Sequence, residues 1–349
     1  MLHTKRDVRE LLLKAFELGA SDLHASPGSP PLLRMDGALT VMQEQKLSPD
    51  DIEVMARELM GPGERQRFEE AGEVDFSTQI EGACRFRLNV FRQQNGVAIA
   101  ARLIPAVVPD LEGLGLPQAI RSLMQKPHGL ILVTGPTGSG KSSTLAALID
   151  HVNRTQQKHI ITLEDPIEYI HHNRSSLIQQ REVGNNTASF AQGLRAALRQ
   201  DPDVILVGEL RDLETISAAV TAAETGHLVL GTLHTTDAPQ TIDRIIDAFP
   251  GHQQGQIRIQ LAGVLNAIVS QRLLPRKLGK GRVCVTEVLI NTPAVANLIR
   301  SEKNHQIRNL MLTGKGSGMH TMDMSIREQL QLGTIDAKTA QPYQAEGGS

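Results

Sequence analysis

The sequence predicts an α/β protein in two parts, a small α+β domain followed by a larger domain built on a mostly parallel sheet. Short, wholly apolar runs alternate with helical patterns in the larger part, as is typical of parallel strands that helices cover on both faces. Five Pro and Gly residues between positions 105 and 117 separate the two parts. The apolar runs are 130–133, 204–207 and 228–230, and the helical patterns are 142–152, 188–199 and 212–224.

The first part, residues 1–108, begins with a helix and continues into short strands. Apolar side chains spaced three and four apart predict the first helix. Ser48 as N-cap and Pro49 at the first helical position predict where a second helix begins. In this part we expect helices at about 4–18 and 49–60 and strands at 31–35 and 85–91.

The second part follows a linker at residues 109–118 and covers residues 119–340. From residue 238 onward the pattern is mostly helical and is interrupted by one strand. The polar residues 341–349 predict a disordered tail. In this region we expect a strand at 282–290 and helices at 293–302, 304–312 and 320–332.

The composition excludes several classes of protein. Of the 349 residues, 40% are hydrophobic and 21% are charged, which argues against a largely disordered chain. The net charge is −2 and there is no Trp, so we expect no nucleic-acid partner. Two cysteines cannot form a four-cysteine zinc site, and no run approaches the roughly 18 apolar residues of a membrane span. We therefore expect a cytoplasmic protein without a transmembrane segment.

Residues 135–142 match G-x-x-x-x-G-K-[ST] at every fixed position, after an apolar strand and before a helical run. Glycines let the backbone amides approach phosphate oxygens, and the start of the helix adds the positive end of its dipole. Lys141 is expected to reach the outer phosphates, and Ser142 to offer a hydroxyl to Mg²⁺. The sequence thus predicts an ATP and Mg²⁺ site formed by Gly135, Pro136, Thr137, Gly138, Ser139, Gly140, Lys141, Ser142 and Ser143.

Acidic residues follow two other apolar runs. Glu209 follows the run 204–207, where a carboxylate could support the Mg²⁺ shell or orient water. Gly208 stands where many such enzymes carry an Asp, so another acid is needed. Glu164 and Asp165, at the end of the run that begins at Ile160, are the candidates, although a plain loop start is the alternative interpretation.

Histidine and arginine supply the remaining candidates. His234 lies at the same end of its strand as the other sites and could sense the γ-phosphate, or it could be purely structural. A guanidinium that neutralises charge in phosphoryl transfer could come from either domain. The candidates are Arg85, Arg87 and Arg102 in the first domain and Arg195 and Arg199 in the second.

Four boxes in order resemble those of the secretion-superfamily ATPases. They are the Walker A box at 135–142, the Asp box at 161–168, the Walker B box at 194–212 and the His box at 226–236. Residues 19–24 and 85–91 resemble the PAS-like N-terminal domain of that group. Residues 295–300 and 318–324 resemble the C-terminal region of the PilT family of type IV pilus retraction ATPases. The resemblance therefore implies a RecA-like P-loop ATPase core preceded by a PAS-like domain.

The same resemblance distinguishes retraction ATPases from the extension and type II secretion ATPases of this group. Extension and type II secretion ATPases usually carry a four-cysteine module after the His box, whereas here that region holds only Cys284. The retraction signature Ala-Ile-Arg-Asn-Leu-Ile-Arg-Glu is kept in part, since Val295, Ala296 and Ser301 replace Ile, Arg and Glu. The retraction motor is favoured, and its accessory paralogue is the alternative.

The resemblance also implies roles and partners. Lys141 and the loop amides hold phosphates, Glu209 orients the attacking water, and His234 reports loss of the γ-phosphate. Six copies form a ring that drives pilus retraction and twitching motility through an inner-membrane platform protein, with a paralogous ATPase as a further candidate partner. The motor would be cytoplasmic and peripherally attached to that membrane. By the same resemblance Ser142, Glu164 and Glu209 serve Mg²⁺, Asp165 assists, and Arg85, Arg87 and Arg102 reach the nucleotide.

Two functions of other kinds compete with the retraction motor. A ring ATPase that translocates nucleic acid would need a basic, aromatic channel, and aromatic residues make up only 3% of the chain. A nucleotide-gated scaffold with little turnover would not need catalytic acids. The presence of Glu164 and Glu209 argues against it.

Overall fold

A computed structural model describes residues 7–35, 38–81, 84–104, 107–278 and 281–344. The chain divides into two compact units, each with its own hydrophobic core. The first unit comprises Met1–Val107 and Pro166–Ile170, and the second comprises Val108–Asp165 and His171–Ser349.

The first unit is built on a six-stranded antiparallel sheet with three helices. Its helices are α1 (Val8–Glu17), α2 (Pro49–Leu59) and α3 (Pro62–Ala71). Its strands are β1 (Asp22–Ala25), β2 (Leu32–Met35), β3 (Ala38–Val41), β4 (Glu73–Gln79), β5 (Arg85–Gln93) and β6 (Gly96–Ile104). They lie in the order β3-β2-β1-β6-β5-β4. The expected helices and strands are present with ends shifted by a few residues, except that residues 4–6 of the first expected helix lie outside the described residues.

Local sequence explains this unit. Alternate side chains of β5 are buried, among them Phe86, Leu88 and Val90, so one face of the sheet forms the core and the other carries polar residues. The start of α2 is fixed by a capping box in which Ser48 and Asp51 exchange side-chain and backbone hydrogen bonds.

The second unit is built on a seven-stranded sheet in the order β13-β12-β7-β11-β10-β8-β9. All its neighbouring strands are parallel except β12 and β13, which confirms the predicted mostly parallel sheet. The strands are β7 (Gly129–Thr134), β8 (His159–Glu164), β9 (Leu177–Glu182), β10 (Val204–Val207), β11 (Leu228–Leu233), β12 (Leu265–Pro275) and β13 (Arg282–Ile290). The helices are α4 (Gln118–Leu123), α5 (Lys141–Thr155), α6 (Phe190–Ala197), α7 (Leu213–Glu224), α8 (Ala238–Asp247), α9 (Gly251–Val264), α10 (Pro293–Arg300), α11 (Ile307–Thr313), α12 (Met322–Gln331) and α13 (Ala337–Gln344).

The central strand β7 shows why these runs are wholly apolar. Leu130 and Leu132 join one core with α7, α8 and α9, whereas Ile131 and Val133 join another with α5. Because successive side chains of a strand point to opposite faces, a sheet covered on both faces needs apolar residues at every position.

The strand β12 corrects the sequence interpretation, which placed one strand after residue 238. Residues 265–275 form a strand between β7 and β13, directly after α9. Polar residues at 266, 270, 271 and 272 interrupt its apolar side chains, so the segment shows neither a continuous apolar run nor a regular alternation, which explains the error.

The C-terminal residues complete the second unit. Residues 341–344, placed in the predicted tail, continue helix α13, and 345–349 lie outside the described residues. Ile326, Ile335 and Ala340 form a small core with the β12–β13 pair. Across the described ranges no helix combines the length and the apolar character that a membrane crossing requires.

Candidate active site

The loop at residues 135–140 joins β7 to α5 and has a backbone that its glycines make possible. Gly138 and Gly140 adopt φ angles of +79° and +89°, and Gly140 directly precedes the helix. At Gly135, φ is +140°, and a Cβ atom would lie 2.4 Å from the carbonyl oxygen of Gln271. No side chain among the described residues caps the start of α5. Its first N–H groups therefore point towards the loop without an intrahelical partner.

Lys141 closes this loop on itself. Its Nζ donates hydrogen bonds to the carbonyl oxygens of Gly135 at 2.7 Å and Pro136 at 3.1 Å. Ser142 and Ser143, in the first helical turn, are half-buried. All nine residues predicted to bind nucleotide thus lie on one loop and one helix start, with an ammonium and two hydroxyls near uncapped amides.

Glu209 lies two residues beyond β10 and is held by two basic side chains. Its Oε1 pairs with Arg211 Nε at 2.5 Å and with His234 Nε2 at 3.2 Å. The side chain of Glu209 is 18% exposed, so these contacts replace most of its water. The hydrogen bond and the charge of Glu209 raise the pKa of the Arg211 guanidinium, which therefore stays charged.

Glu164 is the last residue of β8 and is also held in place. Its Oε1 accepts hydrogen bonds from Thr162 Oγ1 at 2.6 Å and Gln180 Nε2 at 3.1 Å. Asp165 is exposed, and its charge contributes to the raised pKa of Arg211. The side chains of Glu164 and Asp165 therefore differ in environment, one fixed and one solvated.

The surroundings of Gly208 explain why this position holds a glycine and not the Asp that many such enzymes carry. Its amide donates to the Leu163 carbonyl at 2.7 Å, and a Cβ atom there would lie 3.2 Å from that carbonyl oxygen. The neighbouring strand β8 thus approaches too closely for a larger side chain to fit without a shift.

The topology places the predicted residues at one edge of the sheet. Strands β7, β11, β10 and β8 are adjacent and parallel, so their carboxyl ends meet at the same edge. The phosphate loop, His234, Glu209 and Glu164 follow these four strands respectively. This edge is where open α/β sheets bind their ligands.

The predicted arginines of the first domain lie on the polar face of the six-stranded sheet. Arg87 and Arg102 are directly opposite each other on β5 and β6, and Arg85 is two residues from Arg87. Arg102 Nε donates to Asp22 Oδ1 at 2.8 Å. Burial raises the pKa of Asp22, but hydrogen bonds from Arg102 and Ser21 outweigh it and leave that pKa lowered.

The partners of the other arginines are also defined. Arg85 donates to Ser77 Oγ at 2.7 Å, and Arg87 lies 3.9 Å from a carboxylate oxygen of Asp75. In the second unit, Arg195 pairs with Glu214 at 3.0 Å, and Arg199 donates to the Arg195 carbonyl. Arg195 therefore joins α6 to α7, a structural contact.

Arg211 and Gln271 are among the residues of the site that sequence reasoning missed. Arg211 pairs with Glu209, and its position two residues later was a signal that could have been used. Gln271 on β12 donates to the Ser139 carbonyl in the phosphate loop at 2.7 Å. No local pattern indicates that contact, because the two residues are 132 positions apart.

The fold and this edge define a P-loop nucleotide-binding protein of the RecA-like kind. The type II/IV secretion system protein family matches residues 3–338. The chain belongs to that family. It is 46% identical over 334 residues to the type IV pilus retractation ATPase PilT of Pseudomonas aeruginosa, which covers 96% of this chain and 97% of that protein.

Two further comparisons concern individual members of the family. The chain is 41% identical over 334 residues to the type IV pilus ATPase PilU of Pseudomonas aeruginosa, covering 96% of this chain and 87% of that protein. The crystal structure of the pilus retraction motor PilT with bound ADP superposes with a TM-score of 0.90 at 49% identity, covering 96% of each chain. The predicted family and fold class are thereby confirmed.

Proposed function

We propose that this chain is an ATPase that drives type IV pilus retraction. The observation that carries the proposal is the similarity to a retraction ATPase along 96% of this chain and 97% of that relative. Similarity of that extent includes the phosphate loop, the acidic residues and the C-terminal helices together.

The phosphate loop fits nucleotide phosphates. The left-handed backbone at Gly138 and Gly140 and the uncapped start of α5 leave amides available to an anion. The Nζ of Lys141 lies on two loop carbonyls, which are weaker partners for an ammonium than phosphate oxygens. Nucleotide binding would therefore draw Lys141 away from Gly135 and Pro136 and open the loop.

Mg²⁺ is proposed to be held by Ser142, Glu164 and Glu209. A hydroxyl and two carboxylates are hard oxygen donors of the kind that this ion prefers. When bound, the ion supplies positive charge to the phosphate oxygens. Thr162 and Gln180 fix the Glu164 carboxylate, and this keeps one donor oriented without the ion.

Glu209 is proposed to orient the attacking water. Its Oε1 is shared by Arg211 and His234, so a water must replace one of these contacts or use the other oxygen. His234 is the weaker partner at 3.2 Å and follows the strand adjacent to β7. Exchange of His234 between Glu209 and the γ-phosphate would couple the nucleotide state to β11, while Arg211 holds the carboxylate.

The proposal includes the oligomeric state of the protein and its location in the cell. Six copies form a ring on the cytoplasmic side of the inner membrane and act on a pilus platform protein. Arg85, Arg87 and Arg102, on one polar face of the first unit, are the proposed arginines that reach nucleotide, and Asp165 assists Glu164. The second candidate function is that of the accessory paralogue. The observation in its favour is that Val295, Ala296 and Ser301 replace residues of the retraction signature.

Phosphate release by the purified protein tests the catalytic assignment. Glu209→Gln should reduce turnover at least about 100-fold, because the attacking water loses its acceptor. Glu224→Gln changes an exposed carboxylate at the end of α7 and should turn over like the wild type. Equal rates for Glu209→Gln and the wild type would refute the role of Glu209.

A strain that carries Lys141→Ala tests the cellular role. Abundant surface pili without twitching motility are expected, because extension continues while retraction has no nucleotide-competent motor. Cells without pili would contradict retraction and indicate extension. Unchanged pili and motility would indicate the accessory paralogue. Circular dichroism of the purified variant checks that it is folded.

A further inference from the structure

Gln271 lies against the phosphate loop at two points. Its side chain is 1% exposed, and its Nε2 donates to the Ser139 carbonyl at 2.7 Å. Its backbone oxygen lies where a Cβ of Gly135 would approach to 2.4 Å, and its Nε2 lies 3.1 Å from a Cβ position at Gly140. Strand β12 therefore packs against the loop, and the absence of a side chain at Gly135 and Gly140 leaves space for Gln271.

Two buried polar atoms in this contact lack partners. The hydroxyl of Ser139, which is 3% exposed, and the Oε1 of Gln271 have no hydrogen-bond partner among the described residues. Leaving buried polar groups unpaired is costly, and one of these atoms is a donor whereas the other is an acceptor. The two atoms belong to residues that already share the hydrogen bond from Gln271 Nε2 to the Ser139 carbonyl.

Asn266, on the same strand, provides a comparison. Its Nδ2 donates to the His128 carbonyl at 2.8 Å, and a Cβ at Gly129 would approach this nitrogen to 2.3 Å. Asn266 therefore holds the start of β7 as Gln271 holds its end. The two amides make the same kind of contact, but only Gln271 touches the phosphate loop.

We infer that Gln271 is a positioning residue that holds the phosphate loop in two states through two different atoms. In the present state its Nε2 holds the Ser139 carbonyl, and when nucleotide draws Lys141 off the loop carbonyls its Oε1 also accepts the Ser139 hydroxyl. The inference rests on the nucleotide site of the proposed function.

In this arrangement the Ser139 hydroxyl affects stability in opposite directions in the nucleotide-free and the nucleotide-bound protein. Without nucleotide the hydroxyl is an unpaired buried donor and destabilises the fold. With nucleotide it gains Gln271 Oε1 and stabilises the bound loop. A purely structural role would change the stability of both states in the same direction.

The test measures melting of the nucleotide-free protein and affinity for ADP with Mg²⁺. Ser139→Ala should raise the melting temperature by about 2 °C or more and weaken ADP binding about three- to tenfold. Gln271→Met removes both polar atoms at similar volume, and should lower the melting temperature and weaken ADP binding by about tenfold. Asn266→Leu should lower the melting temperature and leave ADP affinity within about twofold of wild type.

The double variant Ser139→Ala with Gln271→Met decides whether the two residues act together. It should bind ADP no more weakly than Gln271→Met alone, because the hydroxyl has already lost its partner. Additive losses would overturn the inference and indicate that Ser139 acts on nucleotide independently. A lower melting temperature or unchanged ADP affinity for Ser139→Ala would also overturn it, even if Gln271→Met fails to fold. Failure of the wild type to bind ADP would instead contradict the proposed function.

Discussion

Replacing Gly135 by alanine tests how closely the phosphate loop approaches β12. The new Cβ would lie 2.4 Å from the Gln271 carbonyl oxygen and 2.7 Å from the Ser139 hydroxyl oxygen. The first neighbour is a backbone atom of β12, which is paired on both sides, so it cannot rotate away. Alanine must also adopt a φ of +140°, which L residues rarely occupy.

Gly138→Ala is the matched control, since it lies in the same loop. Its φ is +79°, and a Cβ there would meet no atom within 4 Å. We expect Gly138→Ala to cost about 1–2 kcal/mol from the left-handed backbone alone. Gly135→Ala should cost about 1–3 kcal/mol from backbone strain and a further ~1–3 kcal/mol from overpacking.

Thermal melting of the nucleotide-free variants measures the difference. An extra cost of about 1–3 kcal/mol corresponds to about 2–12 °C in a domain of this size. Circular dichroism is the suitable probe, because the chain contains no Trp. If Gly135→Ala melts at the same temperature as Gly138→Ala, the close approach of the loop to Gln271 is wrong.

Two further predictions concern the two cores. Phe86→Ala should lower the free energy of unfolding of the first unit by about 3–5 kcal/mol in urea titrations, because this ring is fully buried. Phe16→Ala, at a side chain 38% exposed, should cost less than half as much, and equal costs would contradict the burial of Phe86. Burial raises the pKa of Glu287 above its ordinary 4.5, so its ionisation destabilises the fold as pH rises from about 4.5 through the raised value. The melting temperature of Glu287→Gln relative to wild type should therefore rise with pH over that window, and a constant difference would refute the raised pKa.

Local signals were sufficient for the phosphate loop and the acidic residues. The loop motif, the preceding strand and the following helix are contiguous, and Glu209 and Glu164 each follow an apolar run. Parallel topology then brings separate strand ends to one edge without further information. The location of these residues at one edge of the sheet therefore follows from the sequence alone.

Non-local contacts explain what could not be predicted. Residues 265–275 show neither a continuous apolar run nor a regular alternation, because polar residues such as Ser270 and Gln271 are buried in β12 beside the apolar ones. The contact between Gln271 and Ser139 depends on the pairing of β12 with β7, which no local pattern reports. The contact follows only once residues 265–275 are placed in a strand that pairs with β7.

The strand order also determines when the nucleotide site can form during synthesis. Strand β7 pairs with β11 and β12, whose residues emerge from the ribosome roughly a hundred or more positions later. Until β12 is synthesised, the edge of β7 that pairs with it has no partner strand. The phosphate loop also lacks the hydrogen bond from Gln271 to the Ser139 carbonyl. A chain cut short after α9 would keep the whole loop motif in an unfinished sheet with an exposed apolar edge. Such fragments should be prone to aggregate, so the last third of the chain protects the sheet that carries the phosphate loop.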